Sequence, residues 1–293
     1  MRITVAGGGV VGLSCAHRLA EAGHSVTIVT EGKPAETTSA VAGGLIYPPV
    51  VRPDERVVRW TATTVGVYRS LTAAQGIRFR PGWIRVPGEL PDPDWLSAMT
   101  DVSRDGSVLA FTTAIVDTPV YLAWLAEQAA ALGVRTEYRT VTALGDLDAD
   151  VVVNATGLAG GGLAGDDTLV PVRGQVVHLA DPGLSSWAVD EVDGELAYVI
   201  PHGRHVVCGG TEEIGRGDFT PDPATAAAIV RRCRALEPRL ADAAVLGTRV
   251  GLRPGRPSVR LERTGDIIHC YGHGGAGITL AWGCADDVVS LVA

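Results

Sequence analysis

The sequence predicts an α/β fold in which a parallel-sheet portion is interleaved with an antiparallel α+β portion. Three observations predict it. A β-branched run at the start of the chain ends in three glycines, Gly7, Gly9 and Gly12, and passes into an apolar pattern near helical period. The stretch Asp150-Val151-Val152-Val153-Asn154 is apolar without alternation, as in a parallel strand buried on both faces. Between residues 169 and 211, short strand-like runs alternate with loops, the pattern of antiparallel pairing.

The N-terminal unit reads strand, glycine turn, helix, strand, acid. Gly7 permits a sharp turn, Gly9 lets the backbone approach a pyrophosphate, and Gly12 lets helix and strand pack closely. Val11, Ala16, Leu19 and Ala20 follow helical spacing, and Gly23 ends the helix. A second run, Val26 to Val29, finishes at Glu31, placed to accept from a ribose hydroxyl. This is a Rossmann-type dinucleotide fingerprint. Alone it leaves nicotinamide and flavin cofactors both open.

The stretch from Thr37 to Pro49 is rich in small and hydroxylated residues, which suits backbone wrapped around a flat ligand. Residues 51–55 read as a polar hinge, and Val57 to Ala73 as an amphipathic helix around Trp60, Val67, Tyr68 and Leu71. Ile77 to Val86 is strand-like, and Pro91 to Trp95 a turn opening a short helix. Val108 to Ile115 predicts a strand. Thr118-Pro119 then starts a helix, with the Thr118 hydroxyl as N-cap, that runs to Leu132. Val134 to Tyr138 returns as a strand. After the apolar strand at Val151, Asp166 and Asp167 read as turn residues.

The runs Val172 to Leu179, Leu196 to Ile200 and His205 to Cys208 predict antiparallel strands, with His202 and His205 as surface residues at a turn. Asp222-Pro223 opens another helix. Val245 to Leu252 and Ile267 to Tyr271 read as strands, and His273-Gly274-Gly275-Ala276-Gly277 leads into a last apolar helix through Trp282 and Val289.

Composition bounds the function. At 293 residues the chain is long enough for one large or two interlocked domains. Hydrophobic residues make up 46% and charged ones 20%, which suits a globular enzyme and speaks against a disordered chain. A formal net charge of −8 argues against nucleic acid or an anionic membrane as partner. Five cysteines with no C-x-x-C pair suggest buried reduced thiols, and no metal site is expected. No apolar stretch reaches membrane-spanning length, and the first strand begins at residue 2, so a cytoplasmic protein is expected.

Five landmarks, in order, resemble the D-amino-acid oxidase family of flavoproteins. They are Gly7 to Ser14; Thr37-Thr38-Ser39 through Gly43-Gly44-Leu45; Val153-Asn154-Ala155-Thr156-Gly157; Gly251-Leu252-Arg253-Pro254 through Glu262; and Tyr271-Gly272-His273-Gly274-Gly275-Ala276-Gly277-Ile278-Thr279-Leu280. The resemblance covers nearly the whole chain. It implies an FAD-binding domain from 1–50, 118–168 and 245–293, and a substrate-binding domain from 51–117 and 169–244. It further implies FAD held by Gly7, Gly9, Val10, Val11, Gly12, Glu31, Thr37, Thr38, Ser39, Gly43, Gly44, Leu45, Val141, Gly274, Gly275, Gly277, Ile278 and Thr279. The substrate carboxylate would meet Arg253 and Tyr198, and the Gly275 carbonyl would accept from the amine. A guanidinium suits a carboxylate because two parallel charge-assisted bonds fix position and angle together.

The activity so implied is oxidative deamination of D-amino acids. Hydride would pass from Cα to flavin N5, and the products would be a 2-oxo acid, ammonia and, from dioxygen, hydrogen peroxide. His273 is expected to be structural, and Arg260 either faces the flavin or pairs with a carboxylate. Gly194 stands where eukaryotic members carry a lid tyrosine, Tyr47 replaces a glutamine, and Ala276 replaces a bulky aromatic. With no further arginine for an acidic side chain, neutral D-amino acids are expected. A glycine or sarcosine-type amine oxidase is the nearer alternative, and a nicotinamide-dependent dehydrogenase the more distant one.

Overall fold

The computed structural model describes residues 1–48, 55–85, 93–192 and 194–292. The hinge expected over 51–54 and the turn at 91–92 fall outside them. A six-stranded sheet is built on β1 (Arg2–Ala6), which lies parallel between β2 (Ser25–Thr30) and β7 (Val151–Asn154). Between β1 and β2 runs helix α1 (Val10–Glu21). Within β1, four of five residues are buried, and β7 is buried throughout, as a central parallel strand requires.

The antiparallel sheet opens with β3 (Ile77–Arg85), β4 (Thr100–Asp105) and β5 (Val108–Val116), after helix α2 (Glu55–Arg69). Helix α3 (Thr118–Ala131) and β6 (Arg135–Tyr138) return the chain to the first sheet, where β6 pairs with β2. A short helix α4 (Ala159–Ala164) follows β7. Then come β8 (Val170–Ala180), β9 (Trp187–Val192), β10 (Glu195–Pro201), β11 (His205–Gly209), β12 (Glu213–Ile214) and helix α5 (Pro223–Leu236). The chain closes through β13 (Val245–Gly255), β14 (Arg260–Thr264), β15 (Ile267–Tyr271) and α6 (Gly277–Val292). The first sheet has the order β14-β15-β7-β1-β2-β6, and the nine-stranded sheet runs β12-β8-β11-β10-β9-β3-β5-β4, with β13 also on β8. Among the described residues no helix is long and apolar enough to cross a membrane.

Several elements depart from the sequence reading. Strand β13, grouped above with the nucleotide-binding segments, pairs with β8 from Val245↔Leu179 to Gly255↔Val170 and so belongs to the other sheet. That sheet is mixed, because β3 and β9 pair in parallel. Strand β4 carries no apolar period, being an exposed edge with mostly polar residues. Helix α2 stops at Arg69 because Thr72 caps a following 3₁₀ turn: its hydroxyl accepts from Ala74 N–H, while Gln75 accepts from Thr72 N–H. Thr118 is not the N-cap of α3. Asp117 holds that position, and the Thr118 hydroxyl donates to the Ala40 carbonyl at 3.2 Å, tying the helix to the 37–45 loop.

His202 is not a surface residue; only 3% is exposed, with Nε2 3.0 Å from the Gly43 carbonyl oxygen. Its ring stacks on His205 at 5.0 Å, and His205 stacks on His178 at 4.6 Å. Burial, then the neighbouring His205, depresses His178 and His202 to about 4. The native state therefore keeps these rings neutral while the unfolded chain protonates near 6.5, so stability falls as pH drops from about 6.5 towards 4. The thermal midpoint should fall across that window, and less steeply in a His178→Gln/His205→Gln variant. Equal slopes would show that the stack does not govern acid lability.

Candidate active site

A single cavity of about 850 Å³ runs along the seam of the two sheets, near the upper end of ligand-site sizes of roughly 300–1,000 Å³. One end is walled by Gly7, Gly9, Val10, Val11, Glu31 and Val141; the middle by Thr37, Thr38, Ser39, Gly43, Gly44 and Leu45; the far wall by Gly274, Gly275, Gly277, Ile278 and Thr279. Of the cofactor residues expected from sequence, Gly12 alone stays behind this wall. A Cβ there would sit 1.9 Å from the Gly7 carbonyl oxygen, so its part is to let α1 close on the turn.

The local physics suits a dinucleotide. Helix α1 begins after Gly9 with no side-chain cap, although Val10 N–H reaches Ser39 Oγ at 3.1 Å. Its N-terminal dipole and remaining free N–H groups therefore face the cavity beside the glycine turn. On the cavity side of Gly9, an added Cβ would meet only Ser39 Oγ, at 3.1 Å, leaving bare backbone for a phosphate to approach. The first residues of α6 line the far wall and present a second helix N-terminus. The residues present thus fit FAD, with Gly9, Val10 and Ser39 placed for phosphates and Gly274, Gly275, Ile278 and Thr279 for the flat ring.

Arg253, Tyr198 and Tyr47 meet where β13, β10 and the 37–48 segment converge on the same cavity. Arg253 Nη1 donates to the Thr211 carbonyl at 3.0 Å, and among the described residues no carboxylate pairs with this guanidinium. Gly174 makes its space: β13 and β8 register Gly251 opposite Gly174, and a Cβ at 174 would lie 2.5 Å from Arg253 Nη2. Tyr198 lies within hydrogen-bonding reach of Arg253; burial raises its phenol, and the arginine partly offsets this. Tyr47 is pushed up to about 12, by burial first and then by Tyr198, against Arg253. Both hydroxyls are therefore protonated donors at neutral pH.

Other expectations resolve plainly. Arg260 takes a carboxylate: Nε meets Glu262 Oε1 at 2.7 Å, and Nη1 donates to the Tyr271 hydroxyl at 2.7 Å. Asp166 does more than make a turn, since it pairs with Arg256 Nε at 2.9 Å and accepts from the Tyr271 hydroxyl at 2.9 Å. His273 is 4% exposed and lines the cavity behind the glycine loop. Gly174 and Thr211 escaped the sequence reading. The glycine inside the apolar strand Val172 to Leu179 was the available signal, because such glycines mark a close approach.

A parallel sheet with a capless helix at its glycine turn, a cavity long enough for a dinucleotide and a free guanidinium at one end define a dinucleotide-dependent oxidoreductase. Residues 2–291 match the family described as FAD dependent oxidoreductase, and the chain belongs to it. It is 42% identical over 310 residues to the D-amino-acid oxidase of Rubrobacter xylanophilus, across 99% of this chain and 95% of that one. It is 34% identical to the human D-aspartate oxidase, across 99% of this chain and 94% of that one. Among solved structures, the glycine oxidase of Bacillus cereus superposes with a TM-score of 0.79 at 22% identity, covering 99% and 96% of the two chains; this is a likeness of fold.

Gly174→Ala should push the guanidinium out of register and raise KM for substrate about tenfold, with flavin content unchanged. An unaltered KM would show that Arg253 tolerates the methyl group and is not held by this contact.

Proposed function

We propose that this chain is a D-amino-acid oxidase that prefers neutral side chains. The observation that carries the reading is the unpaired Arg253 guanidinium, flanked by two protonated phenols, inside the cavity of an FAD-family fold. The substrate carboxylate lies on Arg253 in two parallel hydrogen bonds, with the Tyr198 and Tyr47 hydroxyls as further donors. The Gly275 carbonyl accepts from the neutral amine. With carboxylate and amine both pinned, one enantiomer alone presents its Cα hydrogen towards the ring. FAD, when bound, supplies the two-electron acceptor. The protein's share of the rate is positioning. Oxidation leaves an imino acid, which water converts to a 2-oxo acid and ammonia, and dioxygen ends as hydrogen peroxide.

The preference for neutral substrates follows from the charges along the cavity. Arg256 is held by Asp166, and Arg139, beside Val141 at the other end, pairs with Glu137 at 3.3 Å. No second free cation therefore stands near Arg253, among the described residues, to take an acidic side chain. The sarcosine- or glycine-type alternative rests on likeness of fold, and the nicotinamide alternative loses its ground to the FAD family. We place the protein in the cytoplasm.

Oxygen uptake on D- and L-amino acids, D-aspartate, glycine and sarcosine tests the reading. Neutral D-amino acids should be the best substrates, and turnover of glycine or sarcosine alone would sink it. In the same assay Arg253→Ala should raise KM about 100-fold or more while the yellow flavin stays bound. A second test uses pH. Because burial raises both phenols, the inhibition constant of an amine-free carboxylate should stay flat from about pH 7 to 10. A rise within that range would mean that a phenol ionises normally and is not a reliable donor.

A further inference from the structure

Glu212 walls the same cavity as Arg253, and the chemistry described above does not use it. Its place follows from the pleat of β8. Val172, Gly174 and Val176 line the cavity, while Arg173 and Gln175 alternate to the other face, where Arg173 meets Glu213 and Gln175 meets the Asp222 carbonyl. Strand β12 sets Ile214 opposite Val172 and Glu213 opposite Arg173. The next step of that register brings Glu212 level with Gly174, and one step further Gln175 N–H donates to Thr211 Oγ1 at 2.9 Å. Because Glu213 is held by Arg173 on the far face, alternation turns Glu212 to the cavity face. On the other side of β8, the same Gly174 lies beneath the Arg253 guanidinium, and a glycine puts no side chain between the two.

Leu196 stands beside this carboxylate. It lines the cavity, and its carbonyl accepts from Gly210 N–H at 3.3 Å, two residues before Glu212. Leu196 is 43% exposed and Glu212 is exposed as well, so the pair stands at the cavity's opening. Among the described residues no cation pairs with Glu212. An exposed carboxylate is ordinarily a solvated surface charge; this one is set in the wall of a cavity, next to an apolar side chain.

We propose that Glu212 is a specificity residue: beyond the neutral substrates, it admits D-amino acids with a long aliphatic stem and a terminal cation, and it turns acidic ones away. The inference rests on the D-amino-acid oxidase reading above. In that reading the carboxylate, the amine and the Cα hydrogen are each committed, so the side chain takes the one direction left. A lysine or arginine stem packs on Leu196 while its charged head reaches Glu212, the division of labour usual for such side chains. An aspartate or glutamate side chain instead meets a like charge, and Arg139 and Arg256 are already paired. Glu212 acts on the side chain and takes no part in the chemistry at Cα, so its influence falls on KM.

The test compares substrates matched in shape but not in charge, using the FAD-loaded enzyme and oxygen uptake: D-arginine with D-citrulline, and D-glutamate with D-glutamine. Each ratio of kcat/KM divides out any change common to both members of a pair. D-arginine should exceed D-citrulline, and D-glutamate should fall below D-glutamine. Glu212→Gln should lower the D-arginine to D-citrulline ratio about fivefold, through KM, and Glu212→Lys should raise the D-glutamate to D-glutamine ratio by about the same factor. Salt at about 0.5 M should shrink the D-arginine preference of the unmodified enzyme and leave that of Glu212→Gln where it is. Turnover of D-methionine with both ratios unmoved by either substitution would overturn the inference and leave the proposed function standing. No turnover of any D-amino acid would overturn both.

Discussion

Everything at the cofactor end depends on one close approach. The first turn of α1 rides so near the β1 turn that a Cβ on Gly12 would overlap the Gly7 carbonyl, and a Cβ on Gly7 would lie 2.3 Å from the Ala155 carbonyl oxygen. This contact locks together three segments far apart in the chain: the turn, the helix and the end of β7. It aims the uncapped helix N-terminus into the cavity and leaves bare backbone along one wall. Any side chain at either position would move the helix off the sheet and withdraw its N–H groups from the cavity.

The Arg253 end of the cavity is built by the antiparallel pairing of β8 with β13. That register sets Arg253 opposite Val172 and leaves Gly174 beneath the guanidinium. The arginine keeps a protein carbonyl on one nitrogen, and its guanidinium carries further N–H donors. The surrounding phenols stay protonated because burial penalises their anions. Charge recognition there comes from one cation and several neutral donors. The other arginines along the cavity, Arg139 and Arg256, pair with protein carboxylates.

The two ends share a wall. Helix α6 and the glycine loop before it close the cavity on one side and, on the other, face the packed thiols and imidazole of Cys15, Cys270, Cys284 and His273. The row of histidines formed by His178, His205 and His202 backs the Gly43 segment in a similar way. Buried titratable groups therefore lie directly behind two stretches of backbone that line the cavity.

Much of this was legible in the residues themselves. The strands, the glycine turn and most helix starts depend on interactions within a few residues: alternation, caps and positive-φ glycines. So the segments that line the cavity, each contiguous in the chain, could be named in advance. Residues far apart in sequence were harder. Nothing local distinguishes a strand at 245–255 that joins β8 from one that joins the parallel sheet, because either partner satisfies its backbone. Nothing local shows that His202 turns inward to Gly43, that Thr118 bonds Ala40 rather than its own helix, or that Gly174 clears the way for Arg253. By itself the sequence determined the fold class, the glycine turn and the contiguous segments that line the cavity. Tertiary structure alone decided which sheet carries Arg253, how Tyr47 and Tyr198 join it, and where the cysteines gather, since each of these is a pairing of distant residues that only the packed chain brings into contact.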